Sequence, residues 1–200
     1  MVYTVISAVL GYLVGSVNFA ILFSKIIYGE DIRNSGSGNP GATNSVRIYG
    51  KKFGAAVFLC DFSKGLLSVA LARVLVNVLG APSEAMLAAG FFAQLGHVLP
   101  VFHGFRGGKG VATAVGSAFA IMPLTAIVLL ALFAVILFVS KYVAVASGVC
   151  AAVYPILAYF TGGTDRRDYC VFAIACSMLI ILRHISNFGR ISRGEEGKIK

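Results

Sequence analysis

Long apolar segments separated by short polar ones make up most of this chain. The apolar segments cover approximately residues 2–24, 53–79, 85–102, 111–122, 124–140, 142–160 and 169–187. A helix needs about 20 apolar residues to cross a bilayer, and most of these segments approach that length. The run from Val111 to Val139 is too long for one span, and Pro123 stands where a turn would divide it. The pattern predicts an all-α integral membrane protein with seven transmembrane helices, in a single polytopic domain over residues 1–200.

Composition supports the membrane assignment. Hydrophobic residues form 58% of the chain and charged residues only 12%, whereas soluble domains carry about 25% charged residues. Mean hydropathy is +0.87. No nucleic-acid partner is expected. The four cysteines lie in apolar runs without metal-ligand spacing, so they predict neither a disulfide framework nor a metal site.

The distribution of Lys and Arg predicts the orientation of the helices. With seven spans, one side of the membrane holds nearly all the basic residues: Lys25, Arg33, Arg47, Lys51, Lys52, Arg106, Lys109, Lys141, Arg190, Arg193, Lys198 and Lys200. The other side holds little more than Arg166 and Arg167. With six spans, Lys141 and the basic C-terminal segment would change sides. The positive-inside rule therefore favours seven spans, with the N-terminus outside and the C-terminus in the cytoplasm.

A polar, glycine-rich stretch at residues 34–47 is the first candidate binding site. Glycines at positions 36, 38 and 41 allow close approach of the backbone to a ligand. The candidate hydrogen-bonding side chains are those of Ser35, Ser37, Asn39, Thr43 and Asn44. Arg47 follows as a cation suited to phosphate or carboxylate. A plain connecting loop is the alternative, but the glycine-amide pattern next to Arg47 favours an anion-binding loop.

A second polar loop, Gly104–Gly110, reads Gly-Phe-Arg-Gly-Gly-Lys-Gly and precedes an apolar helix. Arg106, Gly107, Gly108 and Lys109 are its candidate phosphate-binding residues, because backbone N–H groups at a helix N-terminus attract anions. The loop is not a nucleotide-binding P-loop, since Gly110 stands where Ser or Thr would hold magnesium. The alternative is a basic loop that contacts lipid head groups.

Polar residues within the apolar segments are further candidates. Asp61 and Lys64 lie three residues apart on one helix face and should form a pair, either bracing the fold or contacting substrate. His97 lies near the end of its segment, and His184 and Asn187 share a face at the end of the last one. Such histidines are ordinarily core groups, but their position near the polar loops makes them candidates for function. Neither zinc-ligand spacing nor a nucleophile elbow is present, so no metal or cofactor is expected.

Four stretches together resemble a known family. They are Ser35–Arg47, Asp61–Gly65, Gly96–Thr113 and Arg183–Glu196, and they are similar to the motifs of bacterial acyl-phosphate:glycerol-3-phosphate acyltransferases of the PlsY type. The final motif of that family is matched by His184, Asn187, Arg190, Gly194 and Glu196, with Phe188 and Ile191 where isoleucine and leucine are usual. The resemblance covers nearly the whole chain.

This resemblance implies a reaction and a location. The acyl group of an acyl phosphate would pass to the 1-hydroxyl of sn-glycerol 3-phosphate, giving lysophosphatidic acid and inorganic phosphate in the first acylation of phospholipid synthesis. The activated donor makes a covalent acyl-enzyme unnecessary, so direct attack is expected. The protein would lie in the bacterial inner membrane with its active site facing the cytoplasm. The His-x4-Asp motif of other glycerolipid acyltransferases is absent, which argues against acyl-CoA as the donor.

The resemblance also implies roles for individual residues. Catalytic roles are expected for His97, Ser35 and Lys109. Substrate binding is expected for Ser37, Asn39, Thr43, Asn44, Arg47, Lys64, Arg106, Gly107, Gly108, His184 and Asn187. Asp61, Arg190 and Glu196 are expected to support the structure of the site. The base is either His97 or the departing phosphate.

The expected partners are acyl phosphate, glycerol 3-phosphate and membrane lipids. Whether a soluble acyl-phosphate-forming enzyme docks on the basic face stays open. The competing function is a small anion or lipid transporter with a phosphate-binding gate, which the lack of internal repeats disfavours.

Overall fold

A computed structural model describes residues 1–199, and the fold of this part is helical. Lys200, counted above among the basic C-terminal residues, lies outside the described residues. The helices are α1 Val2–Ser16, α2 Phe19–Tyr28, α3 Ala42–Tyr49, α4 Lys51–Leu79, α5 Glu84–Val98, α6 Val111–Ile121, α7 Pro123–Ser140, α8 Val143–Thr161 and α9 Arg166–Ser192. Short 3-10 turns occur at Ile32–Asn34, Val101–His103 and Gly163–Asp165.

The apolar segments predicted from the sequence are helical, which makes this a multi-pass membrane protein. Within the described chain, six helical segments are long and apolar enough to cross a membrane: Val2–Tyr28, Lys51–Leu79, Glu84–His103, Pro123–Ser140, Val143–Thr161 and Gly163–Ser192. The predicted segment 111–122 forms α6, which has 11 residues. At 1.5 Å per residue it is about 16 Å long, roughly half the hydrocarbon core. The count of seven spans therefore stays a prediction.

The chain forms two compact units, Met1–Ile121 and the part that begins at Met122. The boundary coincides with the predicted turn, because α6 ends at Ile121 and Pro123 is the first residue of α7. Proline fits this position since the first helical residue needs no N–H partner within the helix. The single polytopic domain stays a prediction.

The first predicted span, residues 2–24, is not one continuous helix. It breaks at Val17 and Asn18, between α1 and α2. The Asn18 side chain caps α2 by accepting from the N–H of Ile21 at 3.0 Å, and it donates to the Pro40 carbonyl at 3.2 Å. These two buried hydrogen bonds favour the break over a continuous helix. The first satisfies an N–H group at the start of α2, and the second links the break to the first polar loop.

Close helix packing fixes the relative positions of α1, α4, α5 and α6. A Cβ atom at Gly15 of α1 would lie 2.0 Å from the Ala93 carbonyl oxygen of α5. A Cβ atom at Gly65 of α4 would lie 2.1 Å from the Thr113 carbonyl oxygen of α6. Small residues allow such approach between membrane helices. As a result, the polar residues on α4 and α5 are held in a defined register.

Helix α3 lies inside the stretch that the sequence analysis treated as a loop. It places Thr43, Asn44 and Arg47 on a helix of eight residues. Its apolar residues Ala42, Ile48 and Tyr49 pack on a buried cluster formed by Ala20, Ile21, Ile32 and Val57. This packing supplies the stability that so short a helix lacks by itself.

In the second unit, α8 and α9 pack against each other. Gly148 of α8 allows close contact with the Phe188 ring of α9, since a Cβ atom there would lie 2.8 Å from the ring. The rings of Tyr154 and Phe172 meet edge to face further along the same pair. His184 and Asn187 are buried on α9 within this unit.

Candidate active site

Asn44 organises the first polar loop. Its side-chain amide donates to the Ser35 carbonyl at 3.0 Å, and its side-chain oxygen accepts from the Ser37 N–H at 2.9 Å. The residue is 1% exposed. Gly36 has a φ of +61°, and a Cβ atom there would meet the Asn44 oxygen at 2.4 Å. Asn44, predicted to bind substrate, therefore uses its amide to shape the loop.

Other predicted residues of this loop remain accessible. Ser37 and Arg47 are exposed, whereas Ser35, Asn39 and Thr43 are half-buried. The loop thus presents hydroxyl and amide groups beside the guanidinium of Arg47. Its backbone is fixed by the hydrogen bonds of the Asn44 side chain. Such an arrangement is suited to a phosphate group.

Arg33 joins the first polar loop to the second. Its guanidinium donates to both carboxylate oxygens of Asp31, at 3.0 and 2.7 Å. A third nitrogen, Nη1, donates to the carbonyls of His103 at 2.9 Å and Arg106 at 3.4 Å. The hydrogen bonds from Arg33 hold the pKa of Asp31 down at about 2, and the same pairing raises the pKa of Arg33. The two polar loops therefore lie side by side in the first unit.

The second loop is fixed to the end of α5 by its glycines, which corrects the role expected for two of them. The N–H of Gly107 donates to the Val98 carbonyl at 3.2 Å, and the N–H of Gly108 donates to the His97 carbonyl at 3.1 Å. Both glycines are buried. Because these N–H groups donate to carbonyls of α5, close packing explains Gly107 and Gly108, and phosphate binding by their N–H groups does not.

The cations of the second loop are accessible to different degrees. Arg106 is exposed and Lys109 is half-buried. Helix α6 begins two residues after Lys109, so its positive N-terminal end faces the same loop. Arg106 and Lys109 stay predicted phosphate-binding cations of this loop.

A buried polar cluster connects α4 to α5. The Nζ of Lys64 lies 2.8 Å from the Asp61 carboxylate, 2.8 Å from His97 Nδ1 and 2.8 Å from the Val17 carbonyl. The helix break at Val17 exposes that carbonyl. Asp61 and His97 are also close, with Oδ1 and Nδ1 separated by 3.4 Å. The predicted pairing of Asp61 with Lys64 is present, and His97, the penultimate residue of α5, completes the cluster.

Three of the predicted residues in the second unit are joined by hydrogen bonds: Asn187, Arg190 and Glu196. Glu196 accepts from the Asn187 amide at 2.9 Å and from Arg190 Nε at 2.7 Å. His184 is 2% exposed, and its Nδ1 lies 2.8 Å from the Ile180 carbonyl. Glu196 thus holds the C-terminal segment on α9. The supporting role expected for Arg190 and Glu196 stays a prediction.

Two structural features were missed in the sequence. Arg33 was counted only for orientation, although its spacing from Asp31 could have indicated a local ion pair. Ser147 of α8 is 2% exposed, and its hydroxyl has no hydrogen-bond partner among the described residues. A lone serine in an apolar helix gives little signal in sequence, because serine hydroxyls ordinarily bond back to the helix.

The chain is similar in sequence to known proteins over nearly its full length. A family model described as glycerol-3-phosphate acyltransferase matches residues 5–194. The glycerol-3-phosphate acyltransferase of Neisseria gonorrhoeae (strain NCCP11945) is 40% identical over 197 residues, covering 98% of each chain. That of Finegoldia magna is 38% identical over 201 residues, covering 98% of this chain and 96% of the relative.

Two solved structures have the same fold. One is the crystal structure of PlsY (YgiH), an integral membrane glycerol 3-phosphate acyltransferase, in its glycerol 3-phosphate form. It superposes with a TM-score of 0.87 at 37% identity, covering 98% of this chain and 96% of that chain. The lysophosphatidic acid form gives a TM-score of 0.86 at 34% identity, with coverage of 98% and 95%. Agreement of this extent in both sequence and fold shows that the chain belongs to the glycerol-3-phosphate acyltransferase family.

Proposed function

We propose that this protein transfers a fatty acyl group from acyl phosphate to the 1-hydroxyl of sn-glycerol 3-phosphate. The observation that carries the proposal is the pairing of two polar loops through Arg33, whose guanidinium donates to the carbonyls of His103 and Arg106. Donor and acceptor both carry phosphate, so two adjacent cationic loops suit this substrate pair. The apolar helices below provide an environment for the acyl chain.

The transfer proceeds by direct attack. The 1-hydroxyl oxygen forms a bond with the acyl carbonyl carbon, and the bond from that carbon to the phosphate oxygen breaks. The hydroxyl proton passes to a base, and inorganic phosphate leaves with the electron pair. The acyl phosphate is already activated, so positioning and charge stabilisation supply most of the rate. No acyl-enzyme forms.

The loop residues have distinct roles in this proposal. Ser35, Ser37 and Thr43, with Asn39, hold the phosphate of the donor. Arg47 and Lys109 bind glycerol 3-phosphate. In the second unit, His184 and Asn187 are assigned to substrate binding from the family resemblance. Arg106 adds positive charge near the departing phosphate. The base is either His97 or that phosphate, whose second pKa of about 6 suits it to accept the proton.

The proposed location follows from the distribution of basic residues. We place the loops at the cytoplasmic face of the bacterial inner membrane, where the positive-inside rule puts Lys- and Arg-rich segments. A soluble enzyme that makes acyl phosphate would deliver its product to this face. The carbon chain of the donor can then stay in the bilayer while its phosphate reaches the loops.

The test is a two-donor assay with purified protein in lipid nanodiscs. Palmitoyl phosphate with glycerol 3-phosphate should give lysophosphatidic acid and release phosphate, whereas palmitoyl-CoA should give neither. Arg47→Gln should lose about 10- to 100-fold in kcat/KM for glycerol 3-phosphate, since a charge-assisted hydrogen bond contributes about 1.5–3 kcal/mol. Lys51→Gln is the matched control, because Lys51 is a nearby exposed cation with no assigned role.

The two possible failures have different meanings. Product from palmitoyl-CoA alone would overturn the acyl-phosphate donor but leave acyl transfer intact. No product from either donor, with protein that remains folded and monodisperse, would overturn the enzyme and favour the transporter.

A further inference from the structure

Two phenylalanine rings project from the loop between α5 and α6. Phe102 is 59% exposed and Phe105 is 57% exposed, and the neighbouring Leu99 and Val101 are 41% and 40% exposed. Exposed apolar side chains that are grouped in this way mark a surface that contacts an apolar partner. Phe102 and Phe105 are called the phenylalanine surface below.

The backbone at Phe105 adopts a conformation that phenylalanine rarely takes. Its φ is +58°, in the left-handed region, where a Cβ atom is disfavoured and glycine or asparagine is usual. A loop that required only this backbone would be more stable with glycine at position 105. The phenyl ring therefore lowers stability in two ways, through backbone strain and through exposure of its surface to water.

Hydrogen bonds on both sides hold Phe105 in this conformation. The Pro100 carbonyl accepts from the N–H groups of His103 at 3.1 Å and Phe105 at 2.9 Å. Arg33 Nη1 donates to the carbonyls of His103 at 2.9 Å and Arg106 at 3.4 Å. Because the backbone is fixed before and after Phe105, the exposure of its ring is a property of the folded loop.

The end of a membrane-spanning segment lies within this loop. The segment Glu84–His103 includes Phe102, and Phe105 lies two residues beyond its end. Such a segment ends where the hydrocarbon core meets the head groups, and aromatic rings are enriched at that depth. Arg106 follows and is exposed, so it is suited to the phosphates of lipid head groups. The order of apolar, aromatic and basic residues along the loop is therefore that of a bilayer interface.

Contacts with α1 place the start of the loop beside a lipid-facing helix. The Tyr12 hydroxyl donates to the Leu99 carbonyl at 2.8 Å, and the Val101 N–H donates to the Ser16 hydroxyl at 3.4 Å. Helix α1 belongs to the membrane-spanning segment Val2–Tyr28, and its exposed side chains are apolar. In a multi-pass membrane protein such a surface contacts lipid, so the loop beside it shares that environment.

We propose that the phenylalanine surface inserts into the bilayer interface and holds the second polar loop at that depth. The occupant is phospholipid, with its upper acyl chains against Phe102 and Phe105 and its phosphate beside Arg106. This contact recovers the apolar burial that the rings lack in water and offsets the strain at Phe105.

The position of this surface has a consequence for the donor, which rests on the proposed function. An acyl phosphate is an amphiphile, so its phosphate lies at head-group depth while its chain stays in the bilayer. A polar loop that is held at the same depth meets the phosphate without removing the chain from lipid. We therefore expect the phenylalanine surface to lower the KM for a long-chain donor.

Tryptophan fluorescence measures the depth of the rings directly. The chain contains no tryptophan, so Phe102→Trp and Phe105→Trp each supply a single emitter. In liposomes of phosphatidylcholine and phosphatidylglycerol, lipid brominated near the head group should quench both emitters more than lipid brominated near the chain end. Acrylamide in the water should quench them little. Leu130→Trp, in the middle of α7, is the deep control, and Glu195→Trp, at an exposed polar position, is the aqueous control.

Two results of this measurement would overturn the proposal. Strong quenching by acrylamide without a response to brominated lipid, as expected for Glu195→Trp, would show that the rings face water. Strongest quenching by bromine near the chain end, as expected for Leu130→Trp, would show that the loop is buried in the hydrocarbon core. Phe102→Trp and Phe105→Trp are independent emitters, so one folded variant is enough to decide.

A second variant separates the ring of Phe105 from its backbone. Asparagine tolerates the left-handed conformation, so Phe105→Asn should keep the shape of the loop and remove the ring. In nanodiscs the KM for palmitoyl phosphate should rise about five- to tenfold, as expected for loss of a partly buried phenyl group. The kcat should stay close to that of wild type, because the ring contacts lipid and not the reacting atoms.

Phe160→Asn is the matched control for this variant. Phe160 is 78% exposed near the end of α8, and its replacement should leave the KM for palmitoyl phosphate unchanged. An unchanged KM in folded Phe105→Asn protein would contradict the benefit to the donor. A fall in kcat at constant KM would assign the ring to the reaction and not to the bilayer, which would also overturn the proposal.

These measurements separate the inference from the proposed function. The fluorescence measurement needs no substrate, so quenching at head-group depth stands even if acyl phosphate proves not to be the donor. Conversely, turnover of acyl phosphate by a protein whose rings face water would overturn the phenylalanine surface and leave the reaction intact.

Discussion

At the scale of single residues, several side chains prepare the site without needing to touch a substrate. Asn44 shapes the first loop, Arg33 joins the two loops, and Lys64 orients His97. Each makes at least two side-chain hydrogen bonds or ion pairs inside the protein. Because buried polar groups are costly unless they are satisfied, these contacts fix the loop backbones before any ligand binds.

Gly108 gives a direct test of this packing. Gly108→Ala would place a methyl group 2.2 Å from His97 Nε2, and Lys64 prevents the ring from moving away. We expect it to lower the midpoint of thermal unfolding, at a cost of about 1–3 kcal/mol, and to reduce acyl transfer. Gly189→Ala is the control, since its nearest neighbour is the flexible end of Arg193 at 3.5 Å. Full activity of Gly108→Ala would contradict the close contact.

The Asp31–Arg33 pair predicts a particular pH dependence. The pKa of Asp31 is lowered from 3.8 to about 2 by its hydrogen bonds from Arg33. A lowered pKa in the folded state stabilises the protein above the unfolded pKa, and this stabilisation is lost as the pH falls from about 4 to about 2. The thermal midpoint of Asp31→Asn should therefore lie below that of wild type at pH 7, with a difference that narrows near pH 3. A difference in thermal midpoint that stays constant across this pH range would show that the ionised Asp31–Arg33 pair is not its source.

At the scale of helices, long apolar segments were predictable and local breaks were not. The segment predicted at 124–140 is the helix Pro123–Ser140, and that predicted at 142–160 is Val143–Thr161. Hydropathy averages over a whole span, so it locates such helices well. The break at Asn18 and the helix Ala42–Tyr49 depend on a few hydrogen bonds and on tertiary packing, which no periodic pattern records.

The glycines show why the site was only partly predictable. The glycine loop is conspicuous in the sequence, because glycine next to Arg and Lys is an unusual signal in an apolar chain. The N–H groups of Gly107 and Gly108 were predicted to bind phosphate, whereas they donate to carbonyls of α5. Glycine satisfies close packing and anion binding equally well, so only the positions of the neighbouring atoms distinguish the two.

The C-terminal segment stabilises the second unit through one of two adjacent carboxylates. Glu196 accepts from Asn187 and Arg190, while exposed Glu195 pairs with exposed Arg193. Glu196→Ala should lower the thermal midpoint, since hydrogen bonds to a charged group contribute about 1.5–3 kcal/mol when shielded from water. Glu195→Ala should change it little, because exposed ion pairs contribute about 0–1 kcal/mol. Equal effects of the two substitutions would argue against a specific role for Glu196.

At the scale of the whole molecule, the short helix α6 decides the topology. Its 11 residues span about 16 Å, so helix length alone does not fix the number of crossings. The Lys and Arg distribution favours seven, and this count determines the side on which Thr164 lies. If the N-terminus lies outside as predicted, Thr164 is outside with seven crossings and in the cytoplasm with six. With the same orientation Ser83 is outside in both arrangements, because it precedes the disputed helix.

Cysteine labelling in intact cells tests this topology. The four native cysteines would be replaced by alanine, and Thr164→Cys and Ser83→Cys would be introduced separately at these two exposed positions. A membrane-impermeant maleimide should label both in intact cells if α6 crosses the membrane, since both connections then face outward. If Ser83→Cys is labelled but Thr164→Cys reacts only after the cells are opened, α6 does not cross. Lys198 and its basic neighbours would then lie outside the membrane, which contradicts the positive-inside rule. The distribution of Lys and Arg would then not report the orientation of the helices.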